Sequence, residues 1–349
     1  MAIIPIPYAR GYLDLDVPEE NLKAVLRSQA DSFAALGSET EIAREALHAP
    51  IASPPLRELA KNKRTITIIT SDHTRPVPSA ITMPLLLEEI RAGNAEAEIT
   101  ILIATGTHRA MTEQEIRDRF GETIFHDERI VNHDARDDRQ MMDVGRLPSG
   151  GVLYLNRLAM ECDLLVAEGF IEPHFFAGFS GGRKAVLSGV ASATSVNGNH
   201  CSKFIIDRNS RTGILDGNPI HKDMLYAAEQ AQLTFIFNVV INSEKKIIKA
   251  HAGHPVVAHK QGCAFVEELA SVEPQTADIV VTSNRGYPLD QNIYQSVKGM
   301  TAAEATVRDG GVIIIAAACN DGHGGESFHR MFREHSNARE VMDTILAVP

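Results

Sequence analysis

Two kinds of apolar spacing alternate along this chain. Short runs rich in β-branched and aliphatic residues read as buried strands: Thr65–Thr70, Glu98–Ala104, Val152–Leu155, Leu164–Ala167, Thr234–Ile241, Ile247–Ala250, Ile279–Thr282 and Val312–Ala316. Between them lie stretches that read as helices: Pro18–Leu36, Ser79–Ala92, Thr112–Phe120, Pro219–Gln230, Val257–Leu269, Ile293–Val307 and Ala338–Leu346. Thr112 with Glu115 forms a capping box, which fixes the start of one of them. Strands alternating with helices predict an α/β protein with mostly parallel sheets. The polar, proline-containing Ser271–Thr276 precedes a fresh strand and marks a domain boundary. The expected domains are therefore 1–270 and 277–349. The second has two clear strands, so either the chain is cut at its C-terminus or its last helix closes onto the first domain.

Composition narrows the class. The chain has 349 residues, 44% hydrophobic and 23% charged, as in ordinary globular proteins. A net charge of −11 argues against a nucleic-acid-binding surface. The four cysteines stand far apart with no C-x-x-C, which fits free thiols in a reducing compartment. No apolar run approaches the length of a membrane span and the N-terminus does not resemble a signal peptide, so a cytoplasmic location is expected.

Candidate chemistry gathers after the strands. Glu172–Lys184 (Glu-Pro-His-Phe-Phe-Ala-Gly-Phe-Ser-Gly-Gly-Arg-Lys) follows the run ending at Ala167. Open parallel sheets bind ligands at strand C-terminal ends. Gly178, Gly181 and Gly182 let backbone approach a ligand and offer N–H groups to anions. His174 can move protons near neutral pH, and Lys184 supplies a cation or a nucleophilic amine. Phosphate-loop spacing is excluded, because Arg183 precedes Lys184 and Ala185 follows it. Ser71–Pro76 and Thr105–Arg109 also follow strands. Arg75 suits a carboxylate, and Asp72 can orient a histidine or cap the next helix. Gly106 and Thr107 can cradle a phosphate while His108 faces the site, or His108 is structural; His126 and His133 are read as structural. His200, in Asn197–His200, is a metal ligand or a solvent-facing turn residue. Tyr294, Gln295 and Lys298 share a helix face that is either solvated or open to a small acid. The glycine-rich Asp321–Glu326 follows the last strand.

Six motifs in order resemble the nickel-dependent lactate racemase family: Asp-His-Thr-Arg-Pro at 72–76, Thr-Gly-Thr-His-Arg at 105–109, Glu-Pro-His at 172–174, Ser-Gly-Gly-Arg-Lys at 180–184, Asn-His at 199–200 and Tyr-Gln-Ser-Val-Lys at 294–298. The resemblance implies two Rossmann-like domains with an interdomain active-site cleft. It implies a racemase or epimerase of lactate-like 2-hydroxy acids that uses nickel and a pyridinium-3-thioamide-5-thiocarboxylic acid mononucleotide, the nickel-pincer nucleotide. By position, Lys184 would carry that nucleotide covalently, with Thr105, Gly106, Thr107, Gly181 and Gly182 beside it. His200 would ligate nickel. His108 and His174 would be the acid/base pair on opposite sides of the substrate carbon. Arg75 and Lys298 would clamp the carboxylate, with Asp72, Tyr294 and Gln295 in support. One histidine removes the hydroxyl proton as hydride leaves the α-carbon; the resulting 2-keto acid takes hydride back on its other face and the second histidine returns the proton. A symmetric reaction needs a base on each side. Members of the family run on past the position of Pro349.

Two other readings use the same residues. His108, His174 and His200 could form a three-histidine zinc or iron site of a hydrolase or dehydratase. A non-catalytic carrier or sensor could bind a small acid or nucleotide. Stoichiometric zinc with an unmodified Lys184 would mark the first, and tight binding without turnover in fully cofactor-loaded protein the second. The expected partner in the main reading is a small 2-hydroxy acid, with no nucleic acid and no membrane.

Overall fold

Parallel pairing organises most of the chain, as its apolar runs predict. The computed structural model describes residues 1–347. Strands β1 (Ala2–Tyr8) and β2 (Gly11–Val17) form an antiparallel hairpin. There follow β3 (Thr65–Ser71), β4 (Glu98–Ala104), β5 (Arg129–Asn132), the hairpin of β6 (Met141–Arg146) and β7 (Val152–Asn156), and β8 (Leu164–Phe170). A two-residue pair, β9 (Pro173–His174) and β10 (Gly178–Phe179), precedes β11 (Leu233–Ile241) and β12 (Ile247–Gly253). The last pair, β13 (Ala277–Ser283) and β14 (Val307–Ala316), is parallel and joined through helix Ile293–Glu304.

The larger compact unit, residues 29–73 and 77–269, is built on a six-stranded sheet of order β12-β11-β8-β3-β4-β5. Only the β11–β12 pair is antiparallel. Because successive side chains point to opposite faces, one strand feeds two cores. Ile66, Ile68, Ile101, Phe235 and Phe237 meet helices Glu39–His48, Ser79–Gly93 and Glu113–Asp127 on one face. Ile69, Leu102, Leu165 and Ile236 meet Val186, Leu187, Met224 and Ala227 on the other. A sheet covered on both faces explains why its central strands are apolar runs without alternation.

Sheet order reverses at β3: β4 and β5 extend one way, β8 and β11 the other. The crevice beyond the carboxyl ends of β3 and β8 is the expected ligand position in such a sheet. The motifs at 72–76, 105–109 and 172–184 follow β3, β4 and β8, which are neighbours.

The smaller unit comprises residues 1–28, 74–76 and 270 onward. It differs from an expected division at 1–270 and 277–349 in that the N-terminal hairpin clusters with the C-terminal segment. Helix Ala338–Ala347 clusters there too, rather than with the larger unit. It contains one βαβ unit, β13–helix–β14. One face of this strand pair leaves Ile279, Val312 and Ile314 exposed.

One predicted element does not form. Pro18–Leu36 contains two short 3-10 turns, Glu19–Asn21 and Gln29–Asp31, instead of a helix. Its residues are helix formers, but none is buried, so no packed face offsets the cost of nucleation. The predicted helix Ile293–Val307 ends at Glu304, and Val307 begins β14. The capping box at Thr112 and Glu115 is present; the helix it opens breaks at Gly121 (φ 81°, ψ 163°), directly after the expected end at Phe120, and a further helical stretch follows to Asp127. No helix among the described residues is long and apolar enough to cross a membrane.

Candidate active site

The end of β3 and the loop after β4 meet through one short contact. Asp72, buried at 1% exposure, places Oδ2 2.6 Å from His108 Nδ1. A carboxylate accepts only, so His108 Nδ1 carries the hydrogen and proton exchange falls to Nε2. Asp72 thus orients a histidine. The next helix, Ser79–Gly93, has Pro78 as its N-cap and no side-chain cap. Arg119 donates to the backbone oxygens of Ser71 and Asp72, at 2.9 and 2.8 Å, which fixes the turn. Beneath it, buried Glu168 accepts from the hydroxyls of Thr70, Ser79 and Thr82.

The 105–109 loop is fastened to the segment after Lys184. Gly106 N–H donates to Gly189 O at 3.0 Å, and Thr105 Oγ1 donates to His133 O at 2.5 Å. Gly106 has φ +54°, and a Cβ there would stand 3.1 Å from Ser188 O. Thr107 is partly buried in the same loop. His133 is structural: Nε2 donates to Ala191 O, Nδ1 accepts from Asn156, and burial pushes its pKa down to about 4.

In the 172–184 segment, His174 is 4% exposed and its Nδ1 accepts the Ala177 N–H at 3.3 Å. The neutral ring therefore carries its hydrogen on Nε2, the reverse of His108. Phe176 lies among three candidate side chains: its ring centroid is 4.6 Å from that of His174 and 4.8 Å from that of His200, with Lys184 Nζ 5.9 Å away. Lys184 Nζ also donates to Ser188 Oγ at 3.2 Å. Gly182 donates its N–H to Asn238 Oδ1 at 2.8 Å. At Gly182, φ is +52° and a Cβ would lie 2.7 Å from the His259 ring; at Gly181, φ is +75° and a Cβ would lie 2.8 Å from Asn238 Oδ1. What these two glycines admit is protein.

Arg183 organises this loop from inside. Its guanidinium, 1% exposed, donates to the carbonyls of Ala177 (2.7 Å) and Phe179 (2.9 Å) and to His221 Nδ1 (2.9 Å). Among the described residues no carboxylate bonds it. Desolvation lowers its pKa to about 10, which still leaves it charged at neutral pH. Burial, then this cation, pushes His221 down to about 3 and His259 well below the imidazole range.

His200 is suited to a metal. Desolvation, then the Lys184 charge, holds its pKa well below the ordinary value, so the ring is neutral. Its Nδ1 donates to Asn199 Oδ1 at 3.0 Å, while fully buried Asn199 donates to Asp223 Oδ2 and Ile220 O at 3.3 Å. That chain fixes the ring hydrogen on Nδ1 and directs a lone pair to Nε2, as a ligating imidazole requires. A neutral imidazole and an amine flanking one aromatic ring fit the nickel-nucleotide anchor. A three-histidine site does not form: among the described residues, the metal-capable group of three is His323, Glu326 and His329, without His108, His174 or His200.

In the smaller unit, Arg75 Nη1 donates to Thr74 Oγ1 (2.9 Å) and Gln295 Oε1 (3.4 Å). Gln295 is 2% exposed, so it does not lie on a solvated face. Its N–H is capped by Asn292 Oδ1 at 2.9 Å, at the start of helix Ile293–Glu304. Tyr294 is 46% exposed and Lys298 partly buried.

Sequence reading missed what Arg183 and Asn199 do, and it offered Phe176 as either an aromatic wall near the ligand or core. Arg183 entered as a break in phosphate-loop spacing and as one letter of the 180–184 motif, with no role of its own, and Phe175 and Phe176 are as readily core as site by composition.

Residues 8–213 match the model for the lactate racemase N-terminal domain, and residues 272–349 that for the lactate racemase C-terminal domain. A protein from Thermoanaerobacterium thermosaccharolyticum named lactate racemase is 58% identical over 347 residues, 99% of this chain and 82% of that protein. One from Lactiplantibacillus plantarum with the same name is 49% identical over 349 residues, again 82% of its length. The structure of the T. thermosaccharolyticum lactate racemase apoprotein superposes with a TM-score of 0.93 at 57% identity, over 100% of this chain and 82% of that one. A Thermotoga maritima structure at 24% identity and TM-score 0.58, over 69% of this chain and 62% of that one, shares the fold. The chain belongs to the lactate racemase family.

Proposed function

We propose that this protein, an isomerase by family, interconverts the stereoisomers of lactate or a similar small 2-hydroxy acid. The observation that carries the reading is the buried Asp72 carboxylate 2.6 Å from His108 Nδ1, at the point where sheet order reverses. Asp72 fixes the His108 tautomer and stabilises the ring when it gains a proton at Nε2. His174, with hydrogen on Nε2 and Nδ1 held by the Ala177 amide, starts in the complementary state. One ring is set to take the C2 hydroxyl proton and the other to give one back. Racemisation by way of a 2-keto acid needs that pair: removal of hydride and of the hydroxyl proton from one enantiomer, and return of both to give the other. A nickel-pincer nucleotide, when bound, supplies the hydride acceptor and donor. In this reading Lys184 anchors the nucleotide covalently and His200 Nε2 holds nickel, oriented by Asn199. Arg75, with Gln295, and Lys298 bind the substrate carboxylate, a use suited to a bidentate guanidinium. Phe176 keeps His174 and His200 at fixed angles.

Intact mass, metal content and lactate racemisation, measured on protein from cells that make the nucleotide, test this together. The expected result is an adduct, bound nickel and activity, with all three lost in Lys184→Ala. In His174→Asn the adduct should persist and racemisation should vanish. Unmodified, nickel-free protein that still racemises lactate would refute the anchor. Fully loaded protein inactive on lactate and other 2-hydroxy acids would refute the substrate class.

A further inference from the structure

The glycine-rich turn after β14 ends in a group of side chains that the proposed reaction does not use. His323 lies in the turn, Glu326 opens helix Glu326–Arg333, and His329 follows one turn later at i+3 on the same face. The two imidazole rings stack at 4.7 Å with 6° between their planes. His323 Nε2 is 3.6 Å from Glu326 Oε2, and one ligand atom from each of the three residues lies within 4.8 Å of the others. We infer that His323, Glu326 and His329 form a second metal site, for a borderline divalent ion such as Zn2+.

The donor set is two imidazoles and one carboxylate, which zinc accepts with an open position for water. Tetrahedral zinc at ~2.1 Å from each ligand needs donors about 3.4 Å apart, so the group must contract by roughly an ångström. Rotation of the side chains suffices, since Glu326 and His329 are exposed and His323 partly so. One local bond changes. His323 Nδ1 now accepts the Gly325 N–H at 3.1 Å. Ligation through Nε2 moves the ring hydrogen to Nδ1, and water takes over the partly exposed amide.

The surroundings say what such an ion would do. The turn is laid along the residues that lead into helix Ile293–Glu304: Asp321 N–H donates to Gln291 O (2.7 Å), Ile293 N–H to Gly322 O (3.1 Å) and Tyr294 N–H to His323 O (3.2 Å). Gly324 lies so close that a Cβ would stand 2.4 Å from Asn292, the residue that caps Gln295. Phe328, between two of the ligands, packs edge-on against Tyr294 at 5.6 Å. Zinc would tie the turn to helix Glu326–Arg333 and hold the His323 carbonyl on the Tyr294 amide. It acts as a brace under the helix assigned to substrate binding. The site's existence does not depend on that assignment.

Zn2+ titration by calorimetry on the full chain, freed of metal by chelator, tests it. The wild type should bind an equivalent that is lost in the His323→Ala/His329→Ala double variant and retained in His200→Ala. Glu326→Ala should weaken that equivalent at least tenfold. Hydrogen exchange at Gly322–Gly325 should slow on zinc addition in the wild type and not in the double variant. Equal zinc binding by the wild type and the folded double variant, or wild-type binding no tighter than millimolar, would overturn the proposal. Loss of the equivalent in His200→Ala alone would overturn it too, by placing the zinc at the proposed nickel ligand. Failure of racemisation on any substrate would leave it standing.

Discussion

At the scale of single residues, the proposed site rests on opposed histidine tautomers. His108 donates through Nδ1 to Asp72, and His174 accepts through Nδ1 from Ala177. Asp72→Asn should therefore reduce racemisation by about 100- to 10,000-fold in loaded protein, because an amide can hold the wrong tautomer and cannot balance the imidazolium. Unchanged lactate turnover in that variant would remove Asp72 from the mechanism. Arg183 makes a different kind of demand. Arg183→Met would strand the carbonyls of Ala177 and Phe179 in a buried loop, at a cost of about 1–3 kcal/mol for each group left unsatisfied. Urea unfolding at pH 7 should show that loss, and Arg183→Lys should recover little of it, because a point cation cannot replace a planar fork.

The six motifs that carried the family resemblance were legible one by one, and those at 72–76, 105–109 and 172–184 stood out as reactive or charged side chains following strands. The contacts that make them a site were not. Nothing in the spelling of Ser-Gly-Gly-Arg-Lys tells which of Arg183 and Lys184 turns inward. Asp72 and His108 are 36 positions apart, and only strand adjacency brings them together.

At the scale of elements, glycine requirements separate loops that are conformationally locked from those that are not. Gly182 sits at φ +52° with the His259 ring where a Cβ would go. Gly182→Ala should cost about 1–3 kcal/mol in strain and shift Lys184 beside it. Thermal melting checks the first effect, and the fraction of chains carrying the Lys184 adduct checks the second. Gly198 is the control: it lies inside helix Ala193–Asn199 with open space around its Cβ position, so Gly198→Ala should be neutral or slightly stabilising. Element prediction succeeded where burial and pattern agreed, as in β3, β4 and helix Pro219–Gln230. It failed at Pro18–Leu36, where helix propensity had no partner to pack against, and it passed over the hairpin β1–β2, whose prolines mask a strand pattern.

At the scale of the whole molecule, buried histidines set the response to acid. His133 and His251 are held at about 4 and His221 at about 3, all below the ordinary imidazole value near 6.5 and all by desolvation first. The unfolded chain takes up these protons before the folded one does. Their contribution is therefore complete above about pH 6.5 and is lost as pH falls from there toward 4. Each histidine removes about 1.4 kcal/mol per pH unit within that window. Glu115, lowered to about 2 first by the Arg109 hydrogen bond, acts later: its contribution is present above about pH 4.5 and is lost toward 2. Urea unfolding at pH 7, 6 and 5 should show a progressive fall in stability, and a flat profile over that range would contradict the burial of these rings.

The sequence by itself determined the fold class, the positions of the reactive side chains and the family, because strand and helix periodicities and residue chemistry are local properties. Tertiary structure alone decided that β8, β3 and β4 lie side by side, that the N-terminal hairpin clusters with the C-terminal segment, and that Arg183 is the buried cation beside Lys184. It also decided that His200 is neutral and its lone pair directed. Those are consequences of which distant residues exclude water from one another, and no window along the chain contains them.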